Sequence, residues 1–375
     1  MANNPMYYDP VFYAQEGLIQ LKKALGRAGT VHRGYDRTSQ QKGSTIAISR
    51  PASFTAQDAP SNAQDLNPDG LTITLDRWKE VKFKLTDKEL TLDEETIITD
   101  HITPAAYAIA LEMDQFLASL SNQIPWYYDL AATTEFDDVI KPLQILKDNG
   151  MPRNDPRVYC AASGPLEAGL MKLFANSQVT GQTSQEVLMQ GFLGQRFGVN
   201  FFGNSNCNTH TKGTCSTATL AVNGATAKGA TTINLNAATV TGTLVPGDSF
   251  VIAGDTQRYA VTNTVTASGN AFTGVQFTPK LNSAATNAAV VTVSLANYTE
   301  NIMYHQNYAA LATAPLSEMG NELGAKIASI YDEKNKLAIR SRVYYVGDES
   351  AVKIALDVLY GGKILDSNLA CLLRK

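Results

Sequence analysis

The sequence predicts an α+β protein with one long helix, an extended β-hairpin ahead of it and an all-β domain inserted further along. Three observations predict this. Behind a Thr103-Pro104 start, Ile102, Ala106, Ile109, Met113, Phe116 and Leu120 repeat every three or four positions. Residues 44–85 hold three runs that alternate apolar with polar side chains, split by a Pro-punctuated polar stretch. Residues 216–296 contain 16 Thr and 16 Ala but five charged side chains, Lys228, Asp248, Asp255, Arg258 and Lys280. β-branched residues suit a pleated, half-buried surface, so that block reads as short strands and turns set into a larger host domain.

The elements follow in chain order. Phe12, Leu18, Leu21 and Leu25 space a short amphipathic helix over residues 11–28. Ile46 and Ile48, then Leu71, Ile73 and Leu75, form the two legs of the hairpin, and Val81, Phe83 and Leu85 continue the alternation. Its tip, with Pro51, Pro60, Pro68 and Gly70, is longer than a compact domain normally tolerates without order from a neighbour. Thr is a good N-cap and Pro suits the first helical position, so the long helix is expected from Pro104 to Asn122. At ~1.5 Å per residue that is ~28 Å, the length of a central spine.

Residues 157–175 read as strand then helix, and the Gly-punctuated run 191–203 as a turn and a strand. Inside the insert, ATTINL, GDSFVIAG, RYAVTNTV and AVVTVSL are strands, with VPGD and SGN as turns. Leu337–Val346 and Val352–Tyr360 form an antiparallel pair, with Val352, Ile354, Leu356, Val358 and Tyr360 on one face. A last strand lies near Asn368–Leu373.

Composition excludes several classes. The net charge of −4 has no Lys/Arg cluster of the kind a nucleic-acid-coating surface needs. No window approaches the apolar length of a membrane span, and Met1 to Pro10 lacks the basic and apolar regions of a secretory signal. Cys160, Cys207, Cys215 and Cys371 are too scattered for a disulfide framework. Cys207, His210 and Cys215 offer one ligand too few for structural zinc, at spacings unlike a common finger, so half-buried loop thiols are expected.

Catalytic patterns are equally scarce. Gly191, Gly194 and Gly198 are spaced for turns, without a following Gly-Lys-Ser/Thr. His32, His101, His210 and His305 fall in four separate elements, and His305 is expected to be a satisfied structural residue. Asp93-Glu94-Glu95 reads as a solvated acidic turn ahead of the long helix, and Asp248 and Asp255 as solvated insert turns. Arg340 and Arg342 alternate on one strand face, which marks either a binding stripe, an intersubunit ion pair or simply an exposed face. The chain is therefore expected not to be an enzyme, with no catalytic residues, no metal and no cofactor.

In order, these elements resemble the major capsid (coat) proteins of tailed double-stranded DNA phages, in the podovirus-type branch whose coat carries an inserted β domain. The resemblance is carried by the arm–hairpin–helix order of residues 1–122 and by Gly191–Asn204 just before the insert. It is carried also by TTINLNAATVTGTLVPGDSFVIAG, by Asn301-Ile302-Met303-Tyr304-His305 through Leu316, and by Arg340-Ser341-Arg342-Val343-Tyr344-Tyr345 and Leu359-Tyr360-Gly361-Gly362.

The resemblance implies the tailed-phage major capsid fold of the Hong Kong phage 97 type. It implies an N-terminal arm at 1–33, an extended hairpin (E-loop) and its base at 34–95, and a spine helix of the P domain at 96–130. The A domain would take 131–215, the inserted β domain 216–297, the A-domain return 298–335 and the C-terminal strands 336–375. Function would be self-assembly as pentamers and hexamers into an icosahedral shell around phage DNA. Partners would be further copies of the chain, a separate scaffolding protein, a portal, and packaged double-stranded DNA held without sequence-specific contacts, with no membrane. The protein would be made in the host bacterial cytoplasm and reside in the virion. Expected intersubunit contacts are Arg50, Phe54, Asp58, Asp65, Asp69, Trp78, Arg340 and Arg342. The competing readings are a different phage structural protein, such as a tail-tube subunit, or a surface adhesin with an Ig-like module. An enzyme with a β accessory domain ranks behind both.

Overall fold

The computed structural model describes residues 9–34, 45–49, 58–59, 70–86, 98–152, 155–176, 193–318, 324–349 and 351–375. Helices and strands both contribute, with several sheets and a closed barrel, so the protein is α+β. The chain forms two compact units, Met1–Met113 with Ala309–Leu365, and Asp114–Tyr308 with Asp366–Lys375.

The first unit is a five-stranded antiparallel sheet with a helix on it. Helix α1 (Pro10–Ala24) opens at Asp9, whose carboxylate accepts from the Val11 N–H at 2.9 Å. That bond satisfies one of the donors a helix start leaves open. Tyr13, Leu18 and Leu21 of α1 are buried, and Gly17 lets the helix approach Ile339 and Leu356 of the sheet. The long strand Ala351–Ile364 is the sheet's middle. It pairs with Arg77–Thr86 on one side, and with Leu337–Val346 and then Ala309–Ala314 on the other. Lys326–Asp332 adds to the outside of Leu337–Val346. The alternation read from the sequence puts Val352, Ile354, Leu356, Val358 and Tyr360 in the core.

The hairpin belongs to the same unit. Thr45–Ser49 pairs antiparallel with Gly70–Thr74, from Thr45↔Thr74 to Ser49↔Gly70. Ile46, Ile48, Ile73 and Leu75 pack on Ala310 and Ala312. A Cβ at Gly361 would lie 2.0 Å from the Thr74 carbonyl oxygen, so only glycine lets the hairpin reach the long strand here. Among the described residues, the two hairpin strands pair only with each other.

The long helix starts earlier than the Thr-Pro signal predicts. A π turn, Ile98–Ile102, runs directly into α2 (Thr103–Ser119), and a 3₁₀ turn, Leu120–Gln123, ends the run. Thr103 is therefore inside the helical run and does not cap it. The turn before it is held because Ile102 is fully buried.

In the second unit, a mixed sheet runs in the order Tyr127–Asp129, Ala370–Arg374, Tyr298–His305, Val158–Ala162, Val199–Gly203, Gln195–Arg196. Thr209–His210 pairs with the Tyr298–His305 strand as well. Helices α3 (Asp137–Asp148) and α4 (Gly164–Asn176) supply Val139, Leu143, Leu146, Leu166, Leu170 and Phe174 to one core with Cys160, Phe201, Met303 and Leu373. The expected A-domain return, 298–335, divides here. Residues up to Tyr308 belong to this unit, whereas Ala309–Ala314 and Lys326–Asp332 hydrogen-bond into the first unit's sheet.

Within the second unit, the Thr/Ala-rich block folds into a closed antiparallel barrel. Its strands run around in the order Thr232–Asn236, Ala271–Thr278, Arg258–Val261, Ser249–Ile252, Val290–Ser294, Thr219–Val222. Closure removes free edges, which suits a sequence with few charges to guard them. Phe250 and Tyr259 stack at its centre and Phe277 meets both edge-on, with ring centroids 5.2–5.5 Å apart.

Two of the insert's turns differ from the solvated acidic turns expected. Asp248 is buried, and its carboxylate accepts from the Val245 N–H at 2.9 Å and the Gly213 N–H at 3.2 Å, with His210 Nε2 at 3.2 Å. A Cβ on Gly247, at φ 101°, would strike the His210 ring, so this turn requires glycine. Asp255 accepts from the Tyr259 hydroxyl at 2.6 Å and from the Gln257 N–H at 3.0 Å. Both carboxylates hold turns closed, because backbone N–H groups in tight turns need acceptors and these are the nearest.

Candidate functional site

Strand alternation gives the first unit's sheet two unlike faces. One face is the core beneath α1. The other carries Trp78, Glu80, Lys82 and Lys84 from Arg77–Thr86, Lys353 and Asp357 from the long strand, and Arg340 and Arg342 from Leu337–Val346. The register sets Glu80 beside Asp357 and Asp357 beside Arg340.

Asp357 is fully buried at the centre of this face. Arg340 donates to it twice, from Nε at 3.0 Å and from Nη2 at 2.6 Å. Trp78 adds its indole N–H at 3.0 Å. Arg340 Nη1 also donates to the Ser317 carbonyl at 2.7 Å. A planar guanidinium bound in this fork fixes geometry as well as charge. Arg342 lies further out, bonded to Glu80 and 3.6 Å from Asp357. Lys82 reaches Glu80 at 3.1 Å, and that carboxylate raises the Lys82 pKa. Glu349, in the turn that enters the long strand, takes Lys353 at 2.7 Å and Lys84 at 3.5 Å. Its pKa is lowered, chiefly by the Lys353 bond.

Of the sequence-predicted contact residues, the structure brings Trp78, Arg340 and Arg342 together on this face. Asp58 is exposed. Arg50, Phe54, Asp65 and Asp69 lie outside the described residues, as does the Asp93-Glu94-Glu95 cluster. Arg340 is not the exposed residue that a strand-face reading allows. It is 9% exposed, because the carboxylate opposite draws it in. Trp78 remains 57% exposed although its N–H is satisfied. Sequence reading missed Asp357, Glu80, Lys82, Lys84 and Lys353. The available signal was Asp357 itself, a lone carboxylate within an apolar strand.

The second unit holds a different kind of surface. Phe136 and Phe197 meet edge-on at 6.1 Å, and both are exposed. Beside them a cleft of about 720 Å³ is lined by Ile140, Leu143, Lys147, Met151, Val158 and Phe197. His305 is fully buried; its Nδ1 accepts from the Asn307 N–H at 3.3 Å, which leaves Nε2 to donate to Asp155 at 3.1 Å. It is a satisfied structural histidine. Arg157, and then His305, hold the Asp155 carboxyl below the usual range against the opposing effect of burial. Cys207 and Cys215 are half-buried thiols that donate to the Asn204 and Thr217 carbonyls at 3.1 Å, and burial raises the buried Cys160 and Cys371 to about 12. No group of metal-ligating side chains occurs among the described residues, and no described helix is long and apolar enough to cross a membrane.

No family model matches the sequence, and no curated protein matches it. Solved structures are similar over most of their length. A chain from Mycobacterium phage Che8 is 13% identical with a TM-score of 0.48, covering 93% of this chain and 90% of that one. The capsid structure of the cyanophage P-SCSP1u is 10% identical, with a TM-score of 0.45 and coverages of 92% and 86%. The mature capsid of bacteriophage PhiM1 is 9% identical, with a TM-score of 0.41 and coverages of 93% and 86%.

Proposed function

We propose that this chain is the major coat protein of a tailed double-stranded DNA phage and assembles as pentamers and hexamers into a shell. The observation that carries the reading is the hairpin. Its two strands, Thr45–Ser49 and Gly70–Thr74, pair with no third strand among the described residues. A two-stranded ribbon is marginal by itself, and its unpaired backbone groups suit a neighbouring chain. Elements that a chain does not complete internally are what a closed shell of heterologous contacts requires, and many weak contacts sum to a stable particle. The charged sheet face carrying Trp78 supports the same reading. So does the order of arm, hairpin, long helix and inserted barrel, which is the order in the family the sequence resembles.

On this reading, 34–95 is the extended loop and its base, 96–130 the spine, and 216–297 an inserted domain on the coat. Trp78 and Arg342 serve contacts between copies. A separate scaffolding protein and a portal complete the assembly, the DNA is enclosed without sequence-specific contacts, and synthesis takes place in the host cytoplasm. The test is expression of the chain alone, followed by negative-stain electron microscopy and sedimentation with and without a crowding agent. Rings of five and six or closed shells are expected. Filaments would favour a tail-tube subunit, and a chain that stays monomeric even when a candidate scaffolding protein is added would overturn the coat reading.

A further inference from the structure

The barrel is joined to the rest of its unit by two chain segments, one before Thr219–Val222 and one after Val290–Ser294. Those two strands pair with each other, so the tethers lie side by side. Adjacent tethers alone let a body swivel, which is the ordinary expectation for an inserted domain. A contact made elsewhere on the barrel removes that freedom. Arg258, on the strand Arg258–Val261 midway along the insert, makes one. Its guanidinium carbon lies 4.3 Å from the Tyr127 ring centroid and 5.8 Å from that of Trp126. Its Nη1 donates to the Tyr127 carbonyl at 3.3 Å. Beside it, Gln257 Nε2 donates at 3.2 Å to Asn368 Oδ1, the oxygen that also accepts from the Trp126 indole N–H at 2.9 Å. Tyr127 belongs to the first strand of the mixed sheet, and Asn368 to the turn that enters Ala370–Arg374.

The Tyr127 ring carries a second guanidinium. Arg374, 6% exposed, has its guanidinium carbon 3.3 Å from the same centroid. Asp129 accepts from Arg374 Nε at 2.8 Å and from Nη2 at 3.1 Å, which neutralises that charge. Arg374 Nη1 also donates to the Ser294 hydroxyl of the barrel at 3.3 Å. Among the described residues, no carboxylate lies within ion-pairing distance of Arg258, so stacking and the Tyr127 carbonyl hold it. A planar, weakly hydrated guanidinium suits this role, because it stacks on aromatic faces while keeping its donors in plane. We propose that Arg258, Gln257 and Arg374, gathered on Tyr127, Trp126 and Asn368, form a clamp that fixes the barrel's orientation on the mixed sheet. Barrel and sheet then turn as one body. The inference goes beyond the coat reading and does not depend on it. Since the Arg258 contact is a stack and not an ion pair, the clamp holds at high salt, where exposed charge pairs are screened.

Spin-label distances on the full chain test the clamp. Cys207 and Cys215 are changed to Ser, and the buried Cys160 and Cys371, with thiols raised to about 12, stay unlabelled. Nitroxides go on Gln144→Cys in α3 and Thr273→Cys on the barrel, both exposed positions. Double electron–electron resonance should give one narrow distance distribution, unchanged at high salt. Gln257→Ala with Arg258→Ala should at least double its width while leaving the barrel core of Phe250, Tyr259 and Phe277 in place. Tyr127→Leu, which alters no barrel residue, should broaden it in the same way. A control pair within the barrel, Thr273→Cys with Thr292→Cys, should stay narrow throughout. A broad distribution in the otherwise unaltered chain would mean that the barrel swivels on its tethers, and the proposal fails. Widths that neither variant changes would overturn it as well, since something other than this seam then sets the orientation. Broadening with salt would assign the orientation to ion pairs and overturn the stacked clamp. If the control pair broadens in the barrel-side variant and Tyr127→Leu has no effect, Arg258 serves the barrel's own fold, and the clamp is again overturned.

Discussion

The inserted barrel and the first unit's sheet are both antiparallel β-structures, yet they solve opposite problems. The barrel closes on itself, fills its centre with Phe250, Tyr259 and Phe277, and holds its two turn carboxylates in hydrogen bonds within the barrel and the segment leading into it. The sheet covers one face with α1 and leaves the other charged, with an exposed tryptophan and an adjoining hairpin whose strands, among the described residues, pair with no third strand. The barrel's stability is thus internal and apolar. The sheet's outer face is held by ionic contacts that also remain available to a neighbour. A β-domain whose charges are few and consumed decorates a surface; one whose charges are many and displayed is built to meet another molecule.

The largest effect should come from breaking the barrel's interior. Phe250 touches both other rings and is 1% exposed, so Phe250→Ala leaves a cavity that closed strands cannot collapse around. A loss of about 3–5 kcal/mol is expected in denaturant unfolding. If the loss is below about 1 kcal/mol, the barrel is not the rigid, self-contained body described.

Next in size is Asp357→Ala. It strands the Arg340 guanidinium, 9% exposed, without its carboxylate and removes the acceptor for Trp78. Truncating one partner of a buried pair costs more than the pair contributes, here about 3 kcal/mol. Trp78 should become mobile as well, which time-resolved fluorescence anisotropy would detect in a Trp126→Phe background. An unchanged anisotropy would show that the indole is not held by the knot.

These two sites differ in how far the sequence reveals them. The barrel's strands were visible as runs of alternating Thr, Val and Ile, because strand periodicity and turn residues are local properties. So was the apolar face of Val352–Tyr360. The polar knot was not, because Asp357 meets Arg340 and Trp78 only through register, and Trp78 lies 279 residues away in sequence. The same holds for Asp248, whose partners His210 and Gly213 come from the segment before the barrel. The start of α2 was misplaced for a related reason. Thr-Pro is a sound local start signal, yet a helical turn, Ile98–Ile102, with Ile102 buried, precedes it. Arg340 and Arg342 were correctly placed on one face, but nothing local distinguishes the residue that is drawn in from the one that stays out.

A smaller effect separates apolar from ionic stabilisation by pH. Arg157, and secondarily His305, depress the Asp155 carboxyl below its usual range. A carboxylate with a depressed folded-state pKa contributes its stability in full above the unfolded value of about 4 and loses it as pH falls through the folded one. Asp155→Asn should therefore lower the melting temperature at pH 7 and leave it nearly unchanged at the acid end of the folded range. A pH-independent difference would show that packing at Asp155, and not its charge, is what matters.

The smallest effect on stability should come from Lys84→Ala, and it sharpens the contrast most. The Lys84 side chain is 60% exposed and 3.5 Å from Glu349, which keeps its shorter bond to Lys353 when Lys84 is gone. An exposed pair of this kind contributes about 0–1 kcal/mol, so the unfolding midpoint should barely move. On the proposed coat reading its effect on association should be larger than its effect on folding, because its ammonium is displayed on an exposed face. Sedimentation of Lys84→Ala at low and high salt measures that difference directly. At low salt the variant should associate less than the unaltered chain, and at high salt the two should converge as screening removes the charge that distinguishes them. If folding and association shift together, Lys84 acts within its own sheet, and the division between a self-sufficient barrel and an outward-facing sheet loses its ionic half.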